Sequence, residues 1–253
     1  MKTVSRILKF AGSTGLTVSL FVVSSVPAYA VTDTNLLATC THIATLSDTS
    51  TVAIKTKITS MNTDFATRLA NIANRTTTID PKVDEARAKA TATFDAKVTA
   101  LQAKSGLTAE QKAAIETYAV TMNAAEKTRE TAVDAARTTY RSSLTEVVTA
   151  HQTSLTNATT IYQTSVANAF ATATTHCGDG TAISNLKTSV KAARDVFKST
   201  RADTKVTTDI KALMATRDAA IKAADADFTK AAATYTATLS AVLDTTSSTT
   251  NTK

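Results

Sequence analysis

Two cysteines and two of the three histidines are the residues of this chain best suited to chemistry. Cys40 is followed two residues later by His42, and His176 directly precedes Cys177. Two thiolates and two imidazoles form a ligand set that zinc or copper accepts. Adjacent ligands such as His176 and Cys177 reach around one ion poorly, however, and two cysteines in an exported chain pair with each other. The expectation is a Cys40–Cys177 disulfide, with no metal and no other cofactor. His42 and His176 are the candidates for a weak histidine-only metal site beside the disulfide. The third histidine, His151, falls on an apolar stripe and reads as a residue packed between helices.

No nucleophile is marked by its surroundings. The sequence holds no G-x-S-x-G, no phosphate-binding glycine loop, no H-E-x-x-H and no EF-hand loop. Acidic groups such as Asp84/Glu85 and Asp225/Asp227 lie beside basic residues and read as solvated surface. Catalysis needs a concave site, and a thin helical rod offers little of one. No catalytic residue is assigned, and the chain is not read as an enzyme.

The element that must position the cysteines is Leu107–Cys177, which contains neither Gly nor Pro. From Met122 its apolar residues advance in steps of three, four and four, so Met122, Val133, Leu144, Leu155 and Val166 recur every eleven residues. Eleven residues in three turns is about 3.67 per turn, the period of a nearly straight or slightly right-handed coil. Thr108 and Gln111 form a capping-box pattern at its start. Gly178 and Gly180 close it, where glycine can take the left-handed conformation that ends a helix. The same spacing runs from Ile54 to Leu101, with Thr76 and Arg87 as exceptions, and from Val206 to Leu243.

The fold class that follows is all-α: an elongated, antiparallel three-helix coiled coil with helices at about 50–104, 108–176 and 181–244, roughly 100 Å long. Residues 31–47 are a lead-in, either a short helix or the first turns of the next one, with 48–244 the bundle and 245–253 a disordered Ser/Thr-rich tail. Asp80-Pro81 raises an alternative of four helices, two short and two long, in which the chain reverses there. The unbroken phase from Ile72 to Val83 favours one helix kinked near Pro81. The cysteines agree. A continuous first helix brings Cys40 and Cys177 to one end, whereas a reversal separates them beyond bonding reach. Closing so long a loop stabilises by up to ~5 kcal/mol in the chain-entropy picture.

Residues 1–30 have the form of a signal peptide: Lys2, Arg6 and Lys9, then apolar Leu16–Val26, then Ala28-Tyr29-Ala30. This implies a secreted, periplasmic or cell-surface protein. The formal charge of +7 falls to +4 without those three bases. That excess reads as evenly spread, with no nucleic-acid partner.

Thr makes up about a fifth of the chain. Thr131, Ser142, Thr153, Thr164 and Thr175 recur every eleven residues, with Thr138, Thr149 and Thr160 beside them. Both rows lie opposite the apolar stripe. In this spacing and composition the chain resembles the alanine-rich helical antifreeze proteins of fish, which implies an ice-binding face. The third helix departs from that pattern, with Lys222, Ala226, Lys230 and Ala233 outward.

Eleven-residue amphipathic repeats also suit proteins lying on lipid, and basic helical-armed periplasmic holdase chaperones offer a loose analogy. The leading expectation is an exported structural or interaction protein, scaffold- or adhesin-like. Its partner would be a protein or a cell-wall polymer, with a membrane surface and homo-oligomerisation as further options. Intact mass with thiol alkylation before and after reduction tests the pairing: the exported chain should take up label only after reduction.

Overall fold

The computed structural model describes residues 36–202 and 206–245. The leader at 1–30 and the tail beyond Thr245 lie outside the described residues. Among those described there are five helices and no strand: α1 (Leu36–Thr78), α2 (Asp80–Gln102), α3 (Ala109–Thr175), α4 (Ala182–Ala202) and α5 (Val206–Thr245). The fold is an all-α helical bundle.

From Leu36 the lead-in at 31–47 forms the first turns of α1. The reason is in the spacing: Ile43 stands eleven residues before Ile54, and the two are 0% and 8% exposed. A stripe that can be buried extends the helix that carries it.

Ile79 alone separates α1 from α2, and the chain does not turn back there. Ile79 keeps helical dihedrals, φ −95° and ψ −43°. Its N–H donates to Arg75 O at 3.1 Å, and Val83 N–H donates to Ile79 O at 3.0 Å, so helical bonding spans the joint. Pro81 supplies no N–H, which loosens this turn. The hydroxyls of Thr77 and Thr78 both donate to Asn74 O, at 3.2 and 2.6 Å. From α3, Arg141 reaches across the joint to Thr76 Oγ1 (3.2 Å) and Asp80 Oδ2 (2.7 Å). Ile79, which the spacing places inward, is 41% exposed instead. Asp80 is turned to the Arg141 guanidinium in this turn, and the charge pair displaces the apolar stripe.

Helix α3 opens with the expected reciprocal cap. Gln111 N–H donates to Thr108 Oγ1 (3.2 Å) and Thr108 N–H to Gln111 Oε1 (3.0 Å). The expectation for its other end needs correction. Among the described residues the glycine with positive φ is Gly106, at 87°, in the α2–α3 connection. Gly178 and Gly180 do not adopt the left-handed conformation. That end closes through successive tight turns, Asp179 N–H to His176 O (2.8 Å) and Ala182 N–H to Asp179 O (3.0 Å), which need no positive φ.

The described residues group into two compact units. The first takes α1 to Asn62, α3 from Thr156, and α4 to Arg201. Its core joins Ile43 and Ile54 of α1, Tyr162, Val166 and Phe170 of α3, and Leu186 and Phe197 of α4, interleaved with alanines. Small residues let the helices approach closely while the aromatic rings fill the space between them. Tyr162 and Phe197 meet at 5.6 Å between centroids.

The second unit takes α1 from Thr63, α2, α3 to Leu155, and α5. Phe65, Ile115, Val133, Val148, Leu155, Ala224 and Leu239 are its buried apolar residues. Within it, partners on α1–α2 and α3 run in opposite numerical order: Phe65 with His151, Arg87 with Asp134, and Asp95 with Asn123.

Truncating a core ring should be costly while trimming an outer side chain is not. Phe170→Ala, at a residue 2% exposed, should lower stability by about 3–5 kcal/mol in urea denaturation. Val120→Ala, at a residue 64% exposed, should stay within about 0.5 kcal/mol of the parent.

Candidate functional site

The first unit gathers the residues singled out for chemistry. Cys40, in the second turn of α1, and Cys177, just past α3, lie at disulfide distance, with Cα atoms 5.2 Å apart although the two are 137 positions apart in sequence. His176 is exposed, and its Nδ1 is 3.2 Å from Asp179 Oδ2. His42 is also exposed. Among the described residues no three His, Cys, Asp or Glu side chains come together as a metal would require. A sulfur–sulfur bond also consumes both thiolates that such a site would use.

An open groove of about 800 Å³ begins beside His176 and Asp179 and runs between α3 and α4. Its floor is small: Ala158, Ala169, Ala173, Ala182 and Ala193. Polar groups line its sides, Ser165 and Asn168 from α3 and Asn185 and Ser189 from α4. Ile161 and Val196, 58% and 57% exposed, stand at its far end. Tyr162 borders it, and burial pushes the Tyr162 phenol above its ordinary value. This groove was not foreseen in the sequence. Alanine and serine at core-like spacing announce close helix contact, and only the placement of a third helix decides which side of a pair stays open.

The charge is also distributed differently from the even spread expected. The described part of the second unit (63–155 and 206–244) holds sixteen bases and sixteen acids. That of the first (36–62 and 156–201) holds seven bases and three acids. Five of those seven, Lys187, Lys191, Arg194, Lys198 and Arg201, lie on α4 at alternating steps of four and three residues, which puts them on one flank of the helix. Asp195 is the acid of α4. Lys191 donates to it at 2.9 Å. That hydrogen bond, aided by the charges of Lys198 and Arg194, holds the Asp195 carboxyl below the usual aspartate range.

The second unit pairs its inward arginines. Arg87, Arg129 and Arg217 fall on positions that the spacing assigns to the apolar stripe, and each finds a partner there. Arg87 grips Asp134 with two bonds, 2.7 and 2.8 Å, and sets its Nε 3.4 Å from Glu130. Arg129 reaches Asp225 at 3.2 Å while its guanidinium lies 5.1 Å from the Phe228 ring centroid. Arg217 stacks 4.6 Å over Tyr140. His151 is half-buried, its ring edge-on to Phe65 at 5.6 Å.

The Thr rows are exposed. In the second unit the hydroxyls of Thr131 and Thr153 donate to the carbonyls four residues back, at 2.9 and 3.1 Å. In the first, Thr160 and Thr175 do the same at 3.0 Å each. Such back-bonding lets a β-branched residue sit in a helix. It spends the hydroxyl donor on the backbone and leaves the hydroxyl oxygen and methyl to solvent. No helix among the described residues is long and apolar enough to cross a membrane.

No protein-family model, curated protein or solved structure matches this chain.

The Arg87–Asp134 pair carries a pH dependence. The paired hydrogen bonds from Arg87 hold the Asp134 carboxyl below its ordinary value and raise the guanidinium. A carboxyl depressed in the folded state contributes stability above its unfolded pKa, about 3.9, and loses it as the pH falls through the folded value. The Asp134 side chain is 51% exposed, so solvent screening limits the pair to about 1 kcal/mol or less. Asp134→Asn should therefore melt slightly below the parent at pH 7. The gap should narrow as the pH falls below about 3.9 and vanish once it is below the folded value as well.

Proposed function

We propose that this chain is an exported structural or interaction protein of the cell envelope or exterior, a helical scaffold that presents side faces to a partner. The observation that carries the reading is that the apolar stripes are covered by helices of the same chain. In α3 every position of the three-four-four series from Met122 to Ala173 is buried or half-buried, while the Thr rows opposite are exposed. A protein that spreads on lipid or wraps unfolded clients needs its apolar face available in the free state. Here that face is occupied by Phe65, Tyr162, Phe170, Phe197 and their neighbours.

Export is supported by the disulfide-distance cysteines, since such bonds persist in oxidising compartments. A scaffold role is supported by a surface that is polar, balanced in charge in the second unit and rich in back-bonded Thr. A lipid-surface or holdase role is the alternative, and it predicts a loosened bundle on contact with its target.

Cosedimentation with isolated envelopes of the host cell separates the two. The oxidised protein should bind saturably with unchanged helical circular dichroism, and it should leave the aggregation of a heat-unfolded client protein unaffected. Suppressed client aggregation without envelope binding would favour the holdase.

A further inference from the structure

The flank of α4 concentrates charge that the rest of the chain neutralises. Its five bases and one acid give a net +4, equal to the whole excess that remains after residues 1–30. Over fourteen residues these bases span about 21 Å at intervals of about 4.5–6 Å. The part of α1 packed in the same unit adds Lys55 and Lys57 against one acid, Asp48. Lys57 borders a small cleft with Phe197, and so lies near the Lys198 end of the row.

Basic residues on a helix are usually its solvated face. One feature sets this row apart. The second unit, with more than twice as many bases, holds an equal number of acids, so the imbalance is local to the first. Lys187, Arg194 and Arg201 are half-buried, as Arg87, Arg129 and Arg217 are in the second unit. Several cations held along one line by packing repel one another, and a polyanion relieves that repulsion.

The geometry favours a line over a plane. A bilayer is best met by cations at one level on several helices, with apolar groups beside them that insert. Here the outward neighbours of the row on α4 include Ser184 and Thr188, and the exposed Val196 stands on the groove flank instead. Nucleic-acid chains are held by aromatic platforms as well as charge. The aromatic residue of α4 is Phe197, which is 6% exposed and part of the core. Lys point charges and Arg forks both suit phosphate oxygens.

We propose that the Lys187–Arg201 flank of α4 binds a linear, base-free phosphodiester polymer, of the polyol-phosphate kind. This rests on the reading of the protein as an envelope element and names its partner. Binding is driven by release of counterions from the polymer, so it depends steeply on salt.

The test uses the full exported chain with its cysteines oxidised, and fluorescent poly(glycerol phosphate) as probe. Five contacts at the single-strand slope should weaken binding about 100-fold between 50 and 200 mM salt. Lys191→Glu/Lys198→Glu changes two exposed side chains and should weaken binding at least about tenfold, because two phosphate contacts are replaced by repulsion. Lys97→Glu/Lys222→Glu, the same charge change in the second unit, should shift it less than about twofold by the same reasoning. Lys191→Gln/Lys198→Gln, without charge reversal, should fall between the two.

Absence of polymer binding at 50 mM salt would overturn the proposal. So would equal losses in the two Glu variants, tighter binding of single-stranded DNA, or equal affinity for phosphatidylglycerol vesicles. Envelope cosedimentation of Lys191→Glu/Lys198→Glu keeps the two readings apart. If it persists while the polymer is not bound, the scaffold reading stands and the α4 proposal falls. If envelopes are not bound even by the parent chain, the scaffold reading itself falls.

Discussion

A helix of 67 residues has nothing of its own to bury its apolar stripe against. The rest of the structure follows from that constraint. The stripe on α3 is diluted with alanine, which contributes little area per residue but lets a neighbouring helix come close. In the first unit the result is a compact centre in which alanines of α3 and α4 make room for Tyr162, Phe170 and Phe197. The capping box at Thr108–Gln111 belongs to the same requirement. It satisfies backbone donors at the start of α3, and the amide of Gln111 goes on to donate to Leu243 O at 3.3 Å, which ties the cap to α5 within the second unit.

The second unit solves the problem with less hydrocarbon and more charge. Arginine on an inward stripe is tolerable because its stem is apolar and its planar head can pair or stack. Arg87, Arg129 and Arg217 each do so within the unit. Arg141 extends the same device to the Ile79–Pro81 joint, where a backbone bond is missing and its guanidinium holds the turns on either side. These pairs are partly exposed, so their energetic weight is modest. Their larger effect is to fix which turn of one helix faces which turn of the next, because a bidentate arginine–carboxylate contact tolerates little slippage.

The surface shows the complementary economy. Outward threonines bond to their own helix, and the bases and acids of the second unit are equal in number. Against that balanced background the α4 flank stands out, because its helix carries five bases and one acid. A patch of this kind is defined by the charges that do not surround it as much as by those it contains.

Local periodicity settles several features by itself. The apolar series from Ile54 and from Met122, the Thr108–Gln111 cap and the nearness of Cys40 to Cys177 were all legible, because each depends on residues a few turns apart or on the run of whole helices. The early start of α1 was legible too, in the eleven-residue step from Ile43 to Ile54. The row of bases on α4 could be read, but its weight could not, since that depends on the second unit cancelling its own charge. Tertiary structure alone decided the outward turn of Ile79, the ordinary φ of Gly178 and Gly180, the partners of the stripe arginines and the open side of the α3–α4 pair. One helix repeats its faces every few residues whatever lies beside it, so the sequence determines which residues share a face. Which faces meet another helix, and which meet water, is settled only when the neighbours take their places.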